Sequence, residues 1–234
     1  MKIAVISDIH GNVEALTQVL RVAKKRKVQH LFVLGDISGY YYHSKEVLSL
    51  LSEWECSIIK GNHEQILQDV YCNEELSLNI KRKYGSAYDI SIKQLLENEL
   101  SFLFNLPPII EKEIDGINFL LAHSNPFSSE HEYLYPDTNK EILSKCNDKN
   151  IDFIFVGHSH YPFITKNKNS ILINPGSIGQ SRRIGGYAEW GIFTTENNTF
   201  EFMFTPYSTN NLLKDIMTYD PNLEYLSKIL KRNE

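Results

Sequence analysis

The 234-residue chain is poor in cysteine. Cys56, Cys72 and Cys146 are three in number, far apart and without a CxxC pair. That excludes a disulfide-stapled miniprotein, argues against a thiolate metal site and points to a reducing compartment. Long apolar runs are also lacking. The N-terminus offers only Ile3–Ile6 before Ser7-Asp8, against the ~7–15 apolar residues of a signal peptide and the ~20 of a membrane span. The expectation is a soluble, cytoplasmic protein with no membrane partner. Positive charge is not in excess either: 24 Lys and Arg face 29 Asp and Glu, a net charge of −5, so no whole-molecule field recruits nucleic acid. The cluster Lys24-Lys25-Arg26-Lys27 reads more simply as cations suiting the C-terminal dipole of a helix.

What is present suits a packed α/β protein. Hydrophobic residues make up 42% of the chain, with 12 Gly and 8 Pro, which excludes disordered and collagen-like classes. At this size roughly 70–75% of the surface is hidden on folding. Ile3–Ile6, Leu31–Leu34 and Cys56–Ile59 read as buried strands, with Asn12 as N-cap of a helix over 13–26 and a second helix over 44–51. Residues 64–106 read as a mainly helical insert broken at 83–85. Strands over 109–114 and 117–122 flank the hairpin turn Asp115-Gly116. A helix over 138–146 precedes strands at 153–156, 163–166, 170–173, 187–195 and 200–205. The tail, 207–234, reads as two helical pieces split at Asp220-Pro221. One domain over 1–234, with two sheets, is predicted.

The informative residues follow the apolar runs. Ser7-Asp8-Ile9-His10-Gly11-Asn12, Gly35-Asp36, Lys60-Gly61-Asn62-His63-Glu64, His123 and Gly157-His158-Ser159-His160 each stand after a predicted strand. Ligands of open α/β sheets bind beyond the carboxyl ends of strands, so five strands deliver Asp, His or Asn to one crevice. Asp8 with His10, and His158 with His160, point the same way when two apart on an extended chain. Five of the eight histidines lie in these segments. Imidazole and carboxylate without thiolate suit Mn, Fe, Zn, Co or Ni.

The ordered series Asp8-x-His10, Gly35-Asp36, Gly61-Asn62-His63, His123 and Gly157-His158-x-His160 resembles the calcineurin-like metallophosphoesterases. Asn174-Pro175-Gly176-Ser177 and the short length are similar to the small single-domain bacterial and archaeal phosphodiesterase branch. The resemblance implies a four-layer α/β/β/α sandwich with two mixed sheets and two divalent transition-metal ions per chain, Mn first among them. One ion would take Asp8, His10, Asp36 and His160; the other would take Asp36, Asn62, His123 and His158, with Asp36 bridging. The implied reaction is hydrolysis of a phosphodiester by a metal-bridging hydroxide, with His63 stabilising or protonating the leaving oxygen. The same first shell serves a phosphomonoesterase or a small nuclease, and a catalytically quiet metal-binding regulatory protein is the rival of another class. The sequence departs from the family pattern at Ser124-Asn125, at Tyr40-Tyr41-Tyr42, at Glu64 where Asp is commoner, and at Gly39, where larger protein phosphatases carry an Asp that orients the histidine.

The expected partner is a small phosphate ester, with a nucleotide among the options. Tyr40 is a candidate pocket wall, and Arg182 and Arg183 are candidate clamps on a phosphate, though surface loop charge accounts for the arginines as well. His30, His43 and His131 read as structural or exposed. The amphipathic tail leaves a homo-oligomer open.

Overall fold

A computed structural model of the chain describes residues 1–128 and 132–233. In chain order, β1 (Lys2–Ile6) leads to α1 (Val13–Lys25), β2 (His30–Val33), α2 (Ser44–Leu51) and β3 (Cys56–Ile58). Four helices follow: α3 (Asn62–Cys72), α4 (Glu74–Tyr84), α5 (Ala87–Gln94) and α6 (Glu97–Phe104). The second half contains β4 (Ile109–Ile114), β5 (Ile117–Ala122), α7 (Lys140–Lys145), β6 (Phe153–Phe155), β7 (Phe163–Lys166), β8 (Ile171–Asn174), β9 (Tyr187–Thr194) and β10 (Thr199–Pro206). It ends on α8 (Asn210–Tyr219) and α9 (Glu224–Leu230).

The strands form two five-stranded sheets, ordered β10-β9-β1-β2-β3 and β4-β5-β6-β8-β7. β1, β2 and β3 are parallel, as are β5, β6 and β8, and the flanking strands are antiparallel. Alternation along each strand stacks the layers. Ile3 and Val5 of β1 pack inward with Phe32, Phe119, Phe155 and Phe193 between the sheets. Ala4 and Ile6 turn outward onto Ala15, Leu16 and Val19 of α1. On the far side, Leu120 and Ile154 meet Leu143 and Cys146 around α7. Strands covered on both faces read as continuous apolar runs, and the result is the predicted four-layer α/β/β/α sandwich with two mixed sheets.

Local departures have local causes. The helix expected to begin at Glu64 begins at Asn62, because the Glu64 side chain reaches back to accept from the Gly61 N–H at 2.9 Å. The helical segment breaks three times rather than once: at Asn73, whose Oδ1 accepts from Glu75 N, at Gly85-Ser86 (Gly85 φ +83°) and at Leu95-Leu96. The tail forms the two helices expected. Their apolar residues Leu212, Ile216, Leu226 and Leu230 are buried against Tyr41, Tyr42 and Ala87. Among the described residues no helix is long and apolar enough to cross a membrane.

Candidate metal centre

The turns that leave β1, β2, β3, β5 and β6 meet at one place. Asp8, His10, Asp36, His63, His123, His158 and His160 are all buried there, and Asn62 opens α3 beside them. The backbone is bent to achieve this. Asp8, His10, Asp36, His158 and His160 have φ between +53° and +66°, a left-handed region that costs a non-glycine residue roughly 1–2 kcal/mol. Tyr40, at φ +62°, belongs to the same cluster.

The side chains converge in overlapping groups: Asp8, His10 and His160; His10, Asp36 and His63; and Asp36, His123 and His158, with the ligating atoms of each group within 4.8 Å of one another. Asp8 Oδ1 is 3.2 Å from His160 Nε2 and 3.9 Å from His10 Nε2. Asp36 Oδ2 lies between the halves, 3.2 Å from His123 Nε2 and 3.8 Å from His10 Nε2. Asn62 Oδ1 is 3.0 Å from His123 Nε2.

The donor chemistry fits divalent cations. His10 Nδ1 faces Ser38 O at 3.2 Å, His160 Nδ1 faces Gln180 O at 3.0 Å and His123 Nδ1 faces Leu34 O at 2.6 Å. A carbonyl only accepts, so each Nδ1 carries the hydrogen, the arrangement that metal-binding histidines use to present Nε2. His10 Nε2 and His160 Nε2 then face each other at 3.2 Å. With both nitrogens neutral, two lone pairs converge in a buried space, an arrangement that a shared cation stabilises. Among the described residues no hydrogen-bond donor reaches the buried Asp8 Oδ1, a costly state for a carboxylate oxygen unless a cation is its partner.

The charges are tuned by this crowding. Burial opposes ionisation of Asp8, but the imidazoles of His160 and His123 outweigh it and lower its pKa. Burial likewise opposes ionisation of Asp36, and His123 and His63 lower it. Burial lowers His10, and pushes His63 and His158 down to about 4. At His123 burial is overcome by the Asp36 carboxylate, which raises the pKa to about 10.

Two supporting residues escaped the sequence reading. Glu64, fully buried, accepts from Asp36 N, Ile37 N, Ser38 N and Gly61 N at 2.9–3.0 Å. It therefore fixes the loop that carries Asp36 and the Ser38 carbonyl. The Gly61-x-x-Glu64 spacing of a capping box was its available signal. Tyr88, on α5, places its hydroxyl 2.6 Å from His63 Nδ1; nothing in the sequence marks it. The Asn174–Gln180 segment is also structural to the site: Ser177 Oγ donates to Asp8 O, and Gln180 O holds His160.

The remaining candidates divide. Tyr40 stands at the centre, its ring 4.7 Å from that of His10 and 4.8 Å from that of His63, whereas Tyr41 and Tyr42 pack in the core beneath the tail. Arg182 is half-buried and within electrostatic reach of Tyr40 and Tyr133. Arg183 turns away: its Nε donates to the buried Glu189 at 2.7 Å and its guanidinium lies over Phe204. His30 bonds Ser57 and His43 bonds Asp215, each at 2.9 Å; His131 lies outside the described residues.

Two stacked mixed sheets present buried His and Asp side chains to one crevice, and the family match assigns this arrangement to the metallophosphoesterase class. The chain belongs to the calcineurin-like phosphoesterase superfamily, whose domain profile matches residues 1–198. It is 36% identical over 232 residues to an uncharacterised protein of Methanocaldococcus jannaschii, covering 92% of this chain and 91% of that one. It is 26% identical over 193 residues to serine/threonine-protein phosphatase 2 of Escherichia coli, covering 76% of this chain and 88% of that one. Among solved structures, a metallophosphoesterase from Sphaerobacter thermophilus superposes with a TM-score of 0.77 at 25% identity, covering 98% of both chains.

Proposed function

We propose that the chain is a phosphodiesterase working with two divalent cations, Mn²⁺ first among them. Asp8, His10, Asp36 and His160 would hold one cation, and Asp36, Asn62, His123 and His158 the other. Bound there, such a pair lowers the pKa of a water and neutralises charge on the phosphoryl oxygens. The carboxylates of Asp8 and Asp36 set the balance: two ions at +4 against −2 leave about +2, enough to draw an anionic ester into a crevice of an acidic chain.

The observation that carries the diester reading is the wall of the centre. Tyr40, with Tyr84 at 5.5 Å, flanks His63 on one side. Tyr133 stacks on His158 at 3.8 Å on the other. Aromatic surface on both sides suits an organic group on each side of phosphorus, whereas a monoester has one such group and a second negative charge. The oxygen–phosphorus bond from water forms as the ester P–O bond breaks, and the attacking water gives up one proton to solvent. His63, neutral because burial holds its pKa near 4, donates a hydrogen bond to the departing alkoxide, which takes its proton from solvent.

The similarity to a serine/threonine-protein phosphatase favours a second reading, monoester hydrolysis on the same residues. The two separate by kcat/KM on a bis-aryl phosphate against the corresponding aryl monophosphate. A diester-to-monoester ratio above one is expected; a ratio below one makes the chain a monoesterase.

A further inference from the structure

We propose that Tyr88 is a positioning residue that keeps a proton on Nε2 of His63 and turns that N–H toward the ester; the inference rests on the phosphoesterase reading above. The hydroxyl of Tyr88 is 2.6 Å from His63 Nδ1, and both side chains are buried, 1% and 4% exposed. No other hydrogen-bond partner of this hydroxyl is found among the described residues. Its proton therefore has Nδ1 as its acceptor. The reverse direction would leave a buried O–H with none, a state that folded proteins avoid.

This reverses the pattern of the three histidines whose Nδ1 faces a backbone carbonyl. In His10, His123 and His160 Nδ1 carries a proton to a carbonyl, which leaves Nε2 as the nitrogen that turns to the centre. In His63 Nδ1 accepts, so Nε2 carries the hydrogen and offers no lone pair. His63 lies within 4.8 Å of His10 and Asp36 in a group that could hold a metal. Tyr88 thus separates it from the ligands and makes it a donor.

The surroundings fix the pair. The His63 backbone N–H donates to Asp36 Oδ1 at 2.8 Å, which sets where the ring begins. Gly39, at φ +89°, leaves the space that the ring fills: a Cβ there would stand 2.2 Å from His63 Nδ1 and 3.0 Å from the Tyr88 hydroxyl. The start of α5 is held by Asp220, which accepts from Ser86 N and Ser86 Oγ at 2.8 Å and from the Tyr42 hydroxyl at 2.9 Å. The tail thus holds the start of the helix that carries the Tyr88 hydroxyl to His63.

The test is Tyr88→Phe, which removes only that oxygen. It is read by ¹⁵N NMR of the His63 ring in the full chain, with and without diamagnetic Zn²⁺, assigned by the signals that vanish in His63→Gln. Steady-state kinetics with Mn²⁺ accompany it. The wild type should show a single His63 tautomer protonated at Nε2. Tyr88→Phe should lose that preference and lower kcat by about 10- to 100-fold, the range seen when an orienting partner is removed, with KM within about twofold. Unchanged ring signals and kcat in the variant, or a wild-type proton on Nδ1, overturns the proposal; the wild-type spectrum decides even if the variant does not fold. A tautomer lost in Tyr88→Phe, in a chain whose wild type hydrolyses no ester, supports the placement and overturns the phosphoesterase reading instead.

Discussion

Asp36→Ala is expected to lower ester hydrolysis by at least about 10³-fold, which corresponds to the several kcal/mol that paired metal ions contribute to a phosphoryl transition state. The size follows from position. Asp36 Oδ2 is the oxygen shared by the two halves of the centre, 3.2 Å from His123 and 3.8 Å from His10, and the same carboxylate receives the His63 N–H through Oδ1. On the proposed two-cation reading, removing it would take a ligand from both cations, and it would free the start of α3. Metal analysis should find fewer than two ions per chain in the variant. Asp36→Asn distinguishes charge from shape: it retains an oxygen for the His63 N–H, so its fold should match the wild type while activity remains at least about 10²-fold down. Wild-type turnover in either variant would remove Asp36 from the chemistry.

His63→Gln is expected to lower kcat by roughly 10²- to 10³-fold, within the range for a positioned acid–base or hydrogen-bonding group, and to leave two cations per chain. The contrast with Asp36 is the informative part. His63 sits among the same side chains and is buried as they are, yet Tyr88 occupies its Nδ1, so on the proposed reading losing the ring should cost catalysis and not metal. KM should stay within about twofold if, as proposed, the ring acts on charge that develops as the ester bond breaks. Metal content that falls with His63→Gln would make His63 a ligand and contradict the assignment.

The centre was legible in the sequence because its residues stand directly after apolar runs. A strand buried on both faces has no polar residue to spare, so Asp8, Asp36, His123 and His158, each within two residues of such a run, are conspicuous. The positions of β1, β2, β5 and β6 follow from the same runs. What lay hidden depends on contacts between distant elements. Glu64 looks like an ordinary first-turn acid of a helix, and only the fold shows its carboxylate gathering four backbone N–H groups. Tyr88 is 25 residues from His63 on a helix whose buried face, Ala87, Tyr88 and Ser91, reads as packing. The tyrosine run divides for the same reason: Tyr40, at φ +62°, turns to the centre, while Tyr41 and Tyr42 turn to the tail. Of two adjacent arginines, Arg183 is taken by Glu189, a partner on β9 that no local pattern announces.

The most direct test is hydrolysis of a bis-aryl phosphate diester by the full chain after metal stripping, assayed with and without added Mn²⁺ beside Asp36→Ala. The account predicts no turnover in the stripped chain, turnover restored by Mn²⁺ in the wild type, and none restored in the variant. Silence of the wild type with Mn²⁺, and again with Fe²⁺, Co²⁺, Ni²⁺ and Zn²⁺, would contradict it.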